Sequence, residues 1–218
     1  MDSATATPIT TSKEAFRIIL ADVPRLLRKA IELEWSLVRL FIVGTVVATA
    51  FTAAYLVFAL RNSKSPLKAW ESLGGPVVKA FRPSLFALLL SNANPFSSSI
   101  HIRISTITKG SCSGFLKDQR KIRNPFGSIH AGALATFAET IGGVAALSTL
   151  SKKDRAILTS LKIDFKKKAR GLITASSQFT LDDQTGRREI EHEVVLRDYS
   201  LEAVAIAHLT WSVETKND

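Results

Sequence analysis

The chain has 218 residues, of which 46% are hydrophobic and 22% charged, and its formal net charge is +10. That length holds one domain and an appendage, the apolar share suits a packed core, and the charge points to an anionic partner or surface. The sequence has no zinc-finger spacing, ribonucleoprotein aromatics or basic zipper, which argues against nucleic acid; Cys112 as the sole cysteine excludes an intrachain disulfide and a cysteine-based metal site.

Residues 1–12 are rich in Ser, Thr and Ala, with Asp2 and no basic residue, and are expected to form a disordered tail. A mitochondrial transit peptide would be Arg-rich and poor in acids, unlike this tail. Residues 13–39 mix Lys, Arg and Glu with Leu and Ile at helical spacing, and Pro24 is expected to kink that helix or start a new one. Arg25, Arg28, Lys29 and Arg39 suit lipid headgroups, and they equally suit a solvated helix face.

Residues 40–60 (LFIVGTVVATAFTAAYLVFAL) carry no charge. At about 1.5 Å per residue they cross the roughly 30 Å of a bilayer's hydrocarbon. Residues 1–35 are therefore read as tail and basic helix, and 36–61 as a transmembrane helix. This makes the chain a single-pass membrane protein, with a mitochondrial membrane as one candidate compartment. Arg39 precedes the span and Arg61, Lys64 and Lys68 follow it, so the charges leave its orientation open. Residues 62–95 contain Pro66, Gly74, Gly75, Pro76 and Pro83 and are expected to be a linker and a short amphipathic segment. Trp70 is suited there to a membrane interface.

Alternation over residues 99–107 marks a strand, and Gly110 turns the chain into a second near 111–117. Further strands are expected at 157–165, 172–181, 189–196 and 203–213, with turns at 182–186 and 198–200. Between the two groups lies a small-residue helix, apolar on nearly every face and so expected to be buried. Two strands, one helix and four strands suit an α+β domain over 96–214, an antiparallel sheet wrapped around one helix.

That helix holds the candidate site. Between His130 and Lys152 its one ionisable side chain is Glu139, and a buried carboxylate is costly unless something uses or pairs it. A helix beginning near His130 or Ala131 aims unpaired N–H groups at the preceding turn, where they suit an oxyanion or a carbonyl oxygen. Gly132 allows close backbone approach. Gly132 and Glu139 share a face but stand roughly 10 Å apart along the axis. If both act on one substrate, they come from different subunits, which implies a dimer.

The spacing Asn124-x-x-Gly127-x-x-His130-Ala131-Gly132, with an acid nine residues after the His, resembles the signature of hotdog-fold acyl-CoA thioesterases, in particular the phenylacetate-pathway branch. The resemblance spans residues 96–214 and implies a hotdog fold behind the transmembrane helix. It also implies a homodimer or dimer of dimers, with an acyl-CoA as substrate and no separate cofactor or metal, coenzyme A entering as part of the substrate. Carried over position by position, Asn124 and His130 shape the thioester pocket, the N–H of Ala131 or Gly132 polarises the carbonyl, and Glu139 of the partner activates water. Gly127 belongs to the substrate-binding turn. Thr159 and Ser160 stand nearest the position of a further polar strand residue, which has no secure match. Ala131 replaces the usual Gly, and Glu139 the usual Asp; either can alter rate or substrate.

Each residue also has a plainer role. Asn124 suits an ordinary turn or cap, His130 a backbone hydrogen bond, and Glu139 a buried ion pair. Lys167, Lys168 and Arg170 suit CoA phosphates at a pocket mouth, or a solvated loop. Glu191, His192 and Glu193 look like a metal trio, but strand alternation sends His192 to the face opposite both Glu, so no metal site is expected. There is no Gly-x-Ser-x-Gly elbow for a serine route. A hotdog hydratase, a non-catalytic acyl-CoA-binding module and a structural dimerising membrane protein remain as alternatives.

Overall fold

The computed structural model describes residues 12–62, 65–75, 78–182 and 184–216. The expected tail lies almost wholly outside these, as does Asp183 of the 182–186 turn. The chain divides into two units, residues 1–57 and 58–218.

The described residues of the first unit are helical. α1 runs Ser12–Asn62 as one helix, and Pro24 lies inside it without ending it. Within α1, Ser36–Tyr55 is long and apolar enough to cross a membrane. Its large side chains are exposed, Leu40, Phe41 and Phe51 among them.

After the last residues of α1, the second unit continues with short helices where a linker was expected. α2 (Pro66–Ser72) is capped by the Ser65 hydroxyl, which accepts from the Lys68 N–H, and α3 (Arg82–Ala93) has Pro83 in its first turn. Proline supplies no N–H where a first turn needs none, so these residues start helices rather than break them. Trp70 is buried rather than placed at a membrane interface: its ring meets Phe86 edge-on at 5.4 Å, and the Arg82 guanidinium lies 5.1 Å from its centre. α4 (Pro95–Ser99) is capped by Asn94, whose side chain accepts from the Ser97 N–H. That cap draws residues 97–99 into a helical turn, so β1 starts later than expected, at Arg103–Thr108.

β2 (Ser111–Lys117), α5 (Ala131–Leu147), β3 (Arg155–Phe165), β4 (Leu172–Gln178), β5 (Gly186–Arg197) and β6 (Ala203–Thr215) complete the domain. The six strands form one antiparallel sheet in the order β1-β2-β4-β5-β6-β3. α5 is buried along most of its length, with Phe137 and Ile141 set among Ile104, Leu116, Ile173, Leu196 and Leu209 from the sheet. The expected α+β architecture, a sheet wrapped on one helix, is present. A Ser97–Thr140 hydroxyl pair at 3.0 Å ties α4 to α5.

Candidate active site

The turn before α5 is organised by Asn124. Its side-chain oxygen accepts from the N–H groups of Phe126 (3.0 Å) and Ser128 (3.2 Å), and its amide donates to the Ser128 hydroxyl. Gly127 takes φ +68° and donates its N–H to the Asn124 carbonyl, closing the turn in a conformation that suits glycine. Asn124 therefore works through the backbone it shapes.

His130 caps α5. Its Nδ1 accepts from the Gly132 N–H at 3.0 Å, so the ring proton sits on Nε2. The Gly132 N–H is thus committed, whereas the N–H of Ala131 has no partner among the described residues. Of the two expected oxyanion donors, the geometry leaves Ala131 free. His130, Ala131 and Gly132 are all exposed.

The Ile129 N–H donates to the Ala169 carbonyl at 2.9 Å, which draws residues 166–170 beside this helix start. Asn124, Ala131, Phe165, Lys166, Lys167 and Lys168 consequently share one cavity of about 260 Å³. Lys167 is less available than expected. It pairs with Asp198 at 2.6 Å and also with Glu202, ties that raise its pKa and hold the Asp198 carboxyl below its usual range. The side chains of Lys168 and of its neighbour Lys166 make no hydrogen bond or ion pair with the described residues, while the Lys166 N–H donates to the Val204 carbonyl at 2.9 Å. Arg170 donates to the carbonyls of Gly127 and Phe126, at 3.2 and 3.4 Å.

Thr159 and Ser160 lie apart from these groups. Thr159 sits at an irregularity in β3 and gives its hydroxyl to the Thr210 carbonyl; Ser160 is exposed on the same strand. The outward positions of Glu191 and Glu193, with His192 facing inward, follow the expected alternation.

Glu139 stands elsewhere. It is half-buried on α5, eight residues and roughly 12 Å of axial rise beyond Ala131. Among the described residues it has no ion-pair or hydrogen-bond partner. It borders a second cavity, of about 490 Å³, walled by Ala69, Phe86 and Leu90 on one side and Val144, Leu147 and Trp211 on the other. Among the described residues of that lining, Glu139 is the one ionisable side chain. In the sequence this cavity leaves a trace in the Leu-rich run of α3. Ala131 and Glu139 therefore serve separate cavities in a single chain, and no one substrate carbonyl is within reach of both.

Solved structures give this architecture its class. A Pseudomonas aeruginosa protein described as a probable thioesterase matches with a TM-score of 0.54 and 24% identity, over 62% of this chain and 97% of that one. A Haemophilus influenzae thioesterase matches at 0.52 and 22%, over 60% and 89%. A mutant P. aeruginosa thioesterase gives 0.51 and 21%, over 58% and 91%. At these identities the likeness establishes the fold, and the domain is a hotdog domain. The chain belongs to the family described as a domain of unknown function (DUF4442), whose model matches residues 82–213. No curated protein matches it.

Proposed function

We propose that the protein is an acyl-CoA thioesterase that acts as a homodimer anchored in a membrane by α1. The observation that carries this is Glu139, an unpartnered carboxylate midway along a buried helix at the edge of an apolar cavity. The thioesterases among the structural neighbours support the reaction class. In the mechanism, Glu139 takes a proton from water, and the resulting hydroxide attacks the thioester carbonyl carbon. The Ala131 N–H of the partner subunit stabilises the oxyanion of the tetrahedral intermediate. Collapse of that intermediate breaks the C–S bond, releasing the fatty or aryl acid and the CoA thiolate, which takes up a proton. In this reading Lys166 and Lys168, which line the cavity with Ala131, take the nucleotide phosphates, and Arg170 holds the turn at Gly127.

Free CoA release from acyl-CoAs by the full-length protein tests this beside Glu139→Gln. The variant is expected to lose about 100-fold or more of kcat, the scale of a general base. Binding of acyl-CoA by the wild type without any release of CoA would instead leave a non-catalytic acyl-CoA-binding module.

Support for the anchor comes from the length and exposed apolar surface of Ser36–Tyr55; the mitochondrial candidate gains none. The full-length protein should stay in the membrane pellet after alkaline carbonate extraction. Val46→Arg combined with Val47→Arg should release it, since each charge is costly at mid-bilayer. Release of the wild type would rule out a spanning helix.

A further inference from the structure

We infer that α2 and α3 wall a chamber for the acyl chain that begins at Glu139 and ends at Leu147, and that this chamber selects an aliphatic acyl group of about ten carbons. The inference rests on the thioesterase function proposed above and adds the chain length of its substrate.

The cavity beside Glu139, about 490 Å³, lies in the range of small-molecule sites. Glu139, Gly143 and Leu147 follow one another at four-residue intervals on α5, so they line one stripe of the helix. The stripe begins with the carboxylate that activates water and runs roughly 12 Å to Leu147. An extended backbone covers about 3.5 Å in three main-chain bonds, so an extended polymethylene chain of about ten bonds spans the stripe. Gly143 leaves the middle of the stripe open. A Cβ there would lie 3.4 Å from the Trp211 ring, which also lines the cavity.

The opposite wall is built to hold its shape. Trp70 of α2 packs edge-on against Phe86 of α3, and the Arg82 Nε donates to the Leu73 carbonyl at 3.1 Å. α3 runs into α4, which the Ser97–Thr140 pair holds against α5. A preformed apolar wall binds a flexible chain with less ordering of the protein. Ala69 and the rest of α2 lie outside residues 82–213, so part of this wall comes from residues beyond those the family model matches.

Two experiments on the full-length protein in lipid nanodiscs test the chamber. The first uses a decanyl thioether of CoA, which cannot be hydrolysed, carrying a diazirine at the far end of the chain. After photolysis, label is expected on α3 and on the half of α5 that ends at Leu147; label confined to other parts of the chain overturns the chamber. The second compares hydrolysis of hexanoyl-, decanoyl- and octadecanoyl-CoA. Leu147 is 39% exposed, which leaves room for a larger ring. Leu147→Trp should lower the ratio of kcat/KM for decanoyl over hexanoyl by tenfold or more, and Leu147→Ala should shift preference toward octadecanoyl. An unchanged profile in both variants overturns the chain-length assignment. Label in the chamber without hydrolysis of any substrate sinks the thioesterase and leaves the chamber standing, whereas hydrolysis with label elsewhere does the reverse.

Discussion

His192 is a residue whose setting the sequence did not disclose. Both ring nitrogens are buried without a hydrogen-bond partner, and the ring lies edge-on to Phe179 at 5.1 Å and stacked on Trp211 at 6.5 Å. Burial penalises the imidazolium and pushes its pKa down from 6.5 to about 4. The unfolded chain therefore binds a proton more readily than the folded one between those values. The stability due to neutral His192 is fully present above about pH 6.5 and is lost as pH falls toward about 4. The melting temperature should fall over that window, and His192→Phe should flatten the fall; an unaltered slope would show that other groups cause it. Burial likewise pushes the Cys112 thiol up to about 12, so it is a poor nucleophile in the folded protein. Asn124, His130 and Glu139 were recognisable by type and spacing. Which donor remains free was not, because the capping bond from Gly132 to His130 depends on a side-chain rotamer.

Elements show where close packing sets the sequence. Two adjacent glycines of α5 differ sharply. A Cβ on Gly142 would lie 2.9 Å from the His192 Nε2 and 2.9 Å from a Leu209 methyl, whereas one on Gly143 meets the Trp211 ring at an ordinary 3.4 Å. Gly142→Ala should therefore destabilise the fold by about 1–3 kcal/mol, the usual cost of overpacking. Gly143→Ala should stay within about 1 kcal/mol of wild type, since alanine also favours a helix. Chemical denaturation of the two variants checks this, and equal midpoints would contradict the packing. The short helices α2, α3 and α4 were the elements the sequence concealed. Pro66, Pro83 and Pro95 each signal a break and each suit a helical first turn, and only the chain's later packing distinguishes the two.

At the scale of the whole molecule, β3 bears most on the proposed dimer. It is the edge strand of the sheet, eleven residues long. Its helix-facing residues Leu161 and Phe165 remain 36% and 49% exposed. An apolar edge strand of that length invites pairing with a second chain. A partner there also answers the separation of Ala131 from Glu139, which a single chain does not close. If β3 carries the proposed dimer, Leu161→Lys should leave a monomer by analytical ultracentrifugation in detergent and lower the proposed CoA release about 100-fold. A monomeric variant with full activity would contradict a shared site.

The sequence by itself determined the periodicities: an uncharged stretch as long as a bilayer is thick, alternating strands, and a buried helix with one acid nine residues after a histidine. These are local properties, because side-chain direction repeats every two residues in a strand and every 3.6 in a helix. Only the tertiary structure decided that Lys166 and Lys168 share a cavity with Asn124 and Ala131, that Glu139 faces another, and that Trp70 is core. Those outcomes depend on contacts between residues distant in the chain, above all the Ile129–Ala169 hydrogen bond and the Trp70–Phe86 packing, which no local pattern encodes.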